Sequence, residues 1–220
     1  MNKLFGGFLF IFSQFFFAQS TRNVGDFSSL KVYDKISVVL IHSTENKVET
    51  DRENADLETV NKNGELKIRM APAKILQGNQ VSVKVFYKNL NDIQASQGSV
   101  ISAEGEVESK MLSLTSNEGS SINIAVNSKT LSTKLNSGGE ITVTGNAGHQ
   151  EILVNSGAKF LGKNIESESA SVTTNAGGFA EVNVTDSVNA TTRAGGVIDI
   201  YGDPNDRKVK NVIGGKINFK

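Results

Sequence analysis

The run Gly157-Ala158-Lys159-Phe160-Leu161-Gly162-Lys163-Asn164 nearly matches the phosphate loop G-x-x-x-x-G-K-[ST]. That loop cradles phosphates with glycine N–H groups and holds magnesium with its closing hydroxyl, ahead of a helix N-terminus. Here Asn164 replaces the hydroxyl, and the residues after it do not read as a helix. Nucleotide binding is therefore not expected. Calcium-binding β-rolls repeat Gly-Gly-x-Gly-x-Asp about every nine residues. The corners of this chain read Gly-Gly-Glu-Ile, Gly-Gly-Phe-Ala and Gly-Gly-Val-Ile at about twice that spacing, with no Asp in register. Glu104, Glu106 and Glu108 alternate along one strand face. They could hold a cation, but solvated surface carboxylates are the favoured reading.

Glycan chemistry on a β-scaffold needs convergent carboxylates. Glu140, Glu181 and Asp199 are scattered, although Glu181 and Asp199 occupy the same place in successive repeats. Strand spacing would set that pair about 5 Å apart, and a solvent-facing pair without catalytic duty is the expectation. His42 and His149 are distant in sequence, and the chain has no Trp to serve as a sugar platform. No catalytic residue, cofactor or metal ligand is assigned, and the chain is not expected to be an enzyme.

The elements that would position these residues are set by seven glycines. Gly98, Gly119, Gly138, Gly157, Gly177, Gly195 and Gly214 are separated by 21, 19, 19, 20, 18 and 19 residues. Three residues after each stands Ile101, Ile122, Ile141, Phe160, Ala180, Ile198 or Ile217, and five after stands Ala103, Ile124, Val143, Gly162, Val182, Ile200 or Phe219. The position between them is mostly polar, so the period is 2, with one face buried and one wet. Five residues before each glycine the same pattern places Ile93, Leu114, Thr133, Ile152, Val172, Ala190 and Val209. A βαβ unit needs about 30 residues, too many for this repeat. The fold class is therefore all-β, a single-stranded right-handed parallel β-helix, a solenoid with coils of about 19 residues. The inward columns predict Phe160 and Phe219 as core, and Val209 as inward-facing.

Asn117, Asn136, Asn155 and Asn175 stand two residues before four consecutive corner glycines. Asn tolerates left-handed backbone and stacks into hydrogen-bonded ladders. A structural ladder is expected rather than a ligand stripe. It breaks at Arg193 and Val212.

Met1-Asn2-Lys3, an apolar run over residues 4–17 and Ala18 read as a secretory signal peptide over residues 1–18. The apolar run is too short to span a bilayer. Removing it takes Lys3 and leaves 22 basic against 23 acidic residues, a formal charge of −1. That balance argues against nucleic acid or an anionic membrane as partner. No second apolar segment exists, so membrane insertion after signal removal is not expected. The chain has no Cys, which excludes disulfides and thiolate metal sites. Export to the periplasm, cell surface or exterior is the expectation.

One domain is expected over residues 19–220, with 91–220 as the regular coils. Residues 19–90 are less regular: Leu30-Lys31-Val32-Tyr33 and the segments 36–41, 66–70 and 81–87 read as strands, separated by turns at Lys62-Asn63-Gly64 and Gln77-Gly78-Asn79. They are expected to supply first coils and a cap over one open end.

Gly25-Asp26-Phe27-Ser28-Ser29-Leu30-Lys31-Val32, Gly64-Glu65-Leu66-Lys67-Ile68 and the following Ser-Gly-Gly and Ala-Gly-Gly corners give the chain a recognisable pattern. It resembles the bacterial auto-transporter adhesin, head GIN domain family over about residues 22–219. The resemblance implies a β-helical protein of the envelope or surface and carries no catalytic residues. Self-secretion is not implied, because the sequence holds no membrane-barrel segment. Two partner classes follow: a surface glycan or envelope protein bound by flat sheets of Ser, Thr, Asn and Lys, or a second copy joined through the solenoid ends.

Overall fold

The computed structural model describes residues 20–50 and 55–220; the signal peptide expected over 1–18 lies outside them. The chain is a β-solenoid of stacked parallel coils, 69% strand and 3% helix, with about 7 turns of about 19 residues. Five long strands make its regular part once a short N-terminal set has been laid down. That set comprises β1 (Ser20–Asn23), β2 (Ser29–Val32), β3 (Ser37–His42), β4 (Lys47–Thr50), β5 (Leu57–Lys62), β6 (Glu65–Met70), β7 (Ser82–Tyr87) and β8 (Asp92–Ala95). The long strands are β9 (Val100–Asn117), β10 (Ser121–Asn136), β11 (Glu140–Val154), β12 (Lys159–Asn175) and β13 (Phe179–Arg193). The last coil is divided among β14 (Val197–Tyr201), β15 (Asp206–Val212) and β16 (Lys216–Phe219).

Each long strand bends around the core and pairs in parallel with its neighbours in sequence. The unequal glycine spacings have a local cause. The 21-residue interval carries extra residues at 103–105, where Ser102 and Glu106 face Asn123 and Ala125. The 20-residue interval carries its surplus near Gly162, where Gly162 and Glu166 face Val182 and Asn183. Bulges therefore absorb the length differences, and the corners stay in register.

The N-terminal coils do not stack in chain order. The coil of β2 and β3 lies between that of β6 and β7 on one side and that of β8 and the start of β9 on the other. Beyond β6 and β7 the sheet turns antiparallel, with β5 on β6, β4 on β7 and β1 on β4.

Inside, Ile101, Ile122, Ile141, Phe160, Ala180 and Ile198 form a sealed column. Phe160 fits among isoleucines because Gly162 leaves room for its ring: a Cβ on Gly162 would overlap it. Full burial of such a ring contributes about 3 kcal/mol. The last coil departs from the sequence expectation. Phe219 is 40% exposed and Val209 53% exposed, although both occupy inward columns. Periodicity assigns the face, but among the described residues no further coil stacks on β15 and β16 to complete the burial.

Candidate functional site

Each corner is a two-residue turn in the left-handed region. Glu118 and Gly119 have φ of 55° and 69°, Ser137 and Gly138 50° and 72°, Ser156 and Gly157 52° and 70°, Ala176 and Gly177 46° and 75°. Gly98, Gly195 and Gly214 adopt the same backbone after Gln97, Ala194 and Ile213. Paired positive φ is the type I′ pattern, closed by N–H to C=O bonds such as Ser120 to Asn117 at 3.1 Å and Gly139 to Asn136 at 3.0 Å. Corners also bond to each other along the axis, as from Gly119 N–H to Ser137 O at 3.1 Å.

The asparagines line up outside these turns. Asn136 donates to Asn117 Oδ1 at 2.8 Å, Asn155 to Asn136 at 2.9 Å and Asn175 to Asn155 at 2.7 Å. Asn136 and Asn155 each donate to one neighbour and accept from the other, which leaves these two inner amides little capacity for a ligand.

A column missed by sequence reasoning lies one residue after the corner glycine: Ser99, Ser120, Gly139, Ala158, Gly178, Gly196 and Gly215. Every member is small because the chain before the corner crosses close behind it; a Cβ on Gly178 would lie 2.7 Å from Val154 O. Where the residue is Ser, its hydroxyl is used: Ser120 Oγ donates to Ala95 O at 2.8 Å, and Ser99 Oγ to Val32 O at 3.0 Å. The restriction to Gly, Ala and Ser in all seven repeats was the available signal.

Glu181 and Asp199 do face each other in register. Asp199 takes a hydrogen bond from Asn218 Nδ2 at 2.7 Å and an ion pair with Lys220 at 3.2 Å; Tyr201 donates its hydroxyl to Glu181 at 3.4 Å. Lys163 sits 4.9 Å over the Tyr201 ring. The two carboxylates are thus engaged by separate partners on an open strand face, an arrangement suited to holding the last coils together rather than to acid–base work. Glu140 lies apart from them, paired in register with Ser121 and Lys159. Glu104, Glu106 and Glu108 are exposed along the bulged stretch of β9. Among the described residues no three His, Cys, Asp or Glu side chains are grouped to share a metal ion.

His149 Nδ1 lies 2.7 Å from Ser169 Oγ, a pairing created by coil register alone. His42 packs on Tyr87 with ring centroids 5.6 Å apart. Burial raises the Tyr87 hydroxyl above its ordinary pKa, and the nearby Glu108 charge adds to the effect. The basic segment at residues 207–210 is exposed; Arg207 pairs with Asp203, and its guanidinium lies 4.4 Å over the Phe219 ring. The Gly157–Asn164 motif lies on a corner and the strand after it, with Phe160 in the core.

Among the described residues no helix is long and apolar enough to cross a membrane. The fold is similar to that of a putative adhesin from Bacteroides fragilis, with TM-score 0.85 and 16% identity over 92% of this chain and 96% of that one. A putative lipid binding protein from Parabacteroides distasonis matches with TM-score 0.70, 18% identity and coverage of 92% and 96%. A putative adhesin from Parabacteroides merdae matches with TM-score 0.70, 16% identity and coverage of 92% and 95%. Among the curated proteins nothing matches. The family model described as "putative auto-transporter adhesin, head GIN domain" matches residues 26–204, from the approach to β2 through the coil of β14, and the chain belongs to that family.

Proposed function

We propose that this chain is an exported, adhesin-like binding module of the bacterial envelope or cell surface that acts without catalysis. The observation that carries the reading is the outer wall. Ser113, Ser132, Glu151, Ser171 and Asn189 stand in one line across five coils, and Ser102, Asn123 and Thr142 in another. Such columns repeat polar groups about every 4.8 Å, a flat array suited to an extended glycan or a protein surface. The adhesin description of the family supports it, as does the segment over residues 1–18 that reads as a signal peptide. The test is a glycan and envelope-fragment binding array with the chain from Gln19 onward. Saturable binding by a monomer supports the module; uniform failure to bind counts against it.

A second reading, an envelope scaffold built by end-to-end stacking, is favoured by one feature. The last coil exposes Val209 at 53% and Ile213 at 82%, beside a strand edge that no described residue pairs. Light scattering at two concentrations separates the readings: a mass that rises with concentration and collapses in Ile217→Lys supports the scaffold.

A further inference from the structure

The column that carries the asparagine ladder continues toward the N-terminal end. Pairing of Ala95 with Ser116, and of Val32 with both Ala95 and Ile68, leads it through Ser96 to Tyr33 and then Arg69. In the coil of β6 and β7 the glycine corner is replaced by an excursion over residues 71–81 with two 3-10 turns, Pro72–Lys74 and Gly78–Gln80. Asp34 anchors this excursion. It is buried, its carboxylate accepts the N–H groups of Met70 at 3.0 Å and Leu76 at 3.1 Å, and its carbonyl accepts Gly78 N–H at 2.9 Å. Gly78 is required by that close approach, since a Cβ there would lie 2.6 Å from Ile36 Cγ1.

A cavity of about 300 Å³ opens between the anchored excursion and the wall. Tyr33, Met70, Pro72 and Ile75 give it an apolar lining; Lys67, Arg69 and Gln97 give it donors; Asp34 also lines it, but both of its carboxylate oxygens are taken by backbone N–H groups. A second hollow of about 460 Å³ on the β5–β6 hairpin shares Lys67 and Arg69 with the first and adds Val60, Lys62, Asn63 and the carboxylate-bearing Glu65. Val60 in the second hollow and Ile75 in the first are exposed by 46% and 53%, and Leu76, next to Ile75 in the chain, by 46%. Single exposed apolar residues mean little, but a cluster beside a cavity marks a contact site. Arg69 donates to Glu58 Oε2 from Nη2 at 2.8 Å and from Nε at 2.9 Å, and Lys67 pairs with Glu65 at 3.0 Å; all four side chains are partly exposed. The single-point Lys67 pair is of the weak surface kind, and Arg69 shares its guanidinium between Glu58 and the open groove, so an incoming anion competes with Glu65 and Glu58 for the two cations.

We propose that this cavity binds a small amphipathic anion, an acyl chain of moderate length ending in a carboxylate or phosphate. The chain lies against Tyr33, Met70, Pro72 and Ile75. The head group lies on Arg69, whose planar fork matches such oxygens, with Lys67 beside it. The volume falls at the small end of ligand sites, and an apolar lining with few placed polar groups is their usual construction. This inference does not depend on the outer wall being adhesive.

Calorimetric titration of the chain from Gln19 onward with decanoate, below its micelle concentration, tests it. Saturable binding of one decanoate per chain is expected, with acetate and 1-decanol each at least tenfold weaker. Lys67→Gln/Arg69→Gln is expected to weaken decanoate at least tenfold while leaving decanol unchanged. Ile75→Asp, on the exposed excursion, is expected to abolish binding with an unaltered urea midpoint. No saturable decanoate binding, or equal losses for decanoate and decanol in the double variant, would overturn the assignment. So would binding to anionic phospholipid vesicles without binding of soluble decanoate, which would make the excursion a membrane contact instead.

Discussion

Asn155 donates its side-chain amide to Asn136 Oδ1 at 2.9 Å, one coil away in space and 19 residues away in sequence. It also accepts from Asn175 at 2.7 Å, so it is a middle rung, whereas Asn117 makes only the terminal link. A net contribution of about 1 kcal/mol per bond gives unequal costs along the ladder. Asn155→Ala is expected to destabilise by about 1–3 kcal/mol and Asn117→Ala by about half as much, measured by urea unfolding. Asn155→Asp cannot donate and sets a carboxylate against the Asn136 oxygen, so it should cost at least as much as Ala.

Gly138 and Gly139 are adjacent but needed for different reasons. Gly138 has φ of 72° and open space where a methyl would stand, whereas a methyl on Gly139 would collide with the Ser116 carbonyl. Left-handed strain for Ala is about 1–2 kcal/mol, but backbone overlap forces the coil to move. Gly138→Ala is expected to keep the fold with a modest fall in Tm. Gly139→Ala should cost several kcal/mol, more than about 3, or prevent recovery of folded protein. Equal Tm values for the two variants would refute the close approach.

The corner glycines and the inward Ile and Val columns were legible because left-handed turns and period 2 each leave a residue-level mark. The bulges near residues 103–105 and 162–166 were visible only as spacings of 21 and 20. The placement of β6 and β7 outside β2 and β3 left no such mark, since a parallel strand reads the same whichever coil it joins. The cavity was hidden for a related reason. Tyr33, Arg69, Ile75 and Gln97 come from four separate segments, and their shared glycine corner is missing from the coil that hosts the excursion. Phe219 and Val209 follow the inward pattern, yet burial needs a covering coil as well as a direction.

Glu65 sits between two lysines, Lys31 at 2.6 Å and Lys67 at 3.0 Å. The hydrogen bond from Lys31 chiefly, then that from Lys67, holds the Glu65 carboxyl below its ordinary value of 4.5. The Glu65 hydrogen bond in turn raises Lys31 above 10.5. A depressed carboxyl contributes stability above its unfolded pKa and loses it as pH falls through the lower folded value. A raised lysine contributes below its unfolded pKa and loses it as pH rises through the higher folded value. Glu65→Gln is therefore expected to cost up to about 1 kcal/mol at pH 7. Urea unfolding should show the difference shrinking at pH 3 and at pH 11, and a gap that persists at both extremes would rule out the ion pair as its source.

Ile198 and Ile217 are register partners in the same inward column, but only Ile198 is fully enclosed. Ile217 in β16 is half-buried; among the described residues no strand pairs with β16 on the side away from β14, and Arg207 stacks over the nearby Phe219. Large-to-small substitution in a closed core costs about 2–5 kcal/mol, through lost transfer energy and the cavity left behind. A half-exposed site forms no closed cavity. Ile198→Ala is thus expected in that range and Ile217→Ala below about 1.5 kcal/mol, with midpoints independent of protein concentration. A large Ile217→Ala cost that grows with concentration would mean that a second copy completes the last coil, and would move the functional reading from a monomeric binding module to a stacked scaffold.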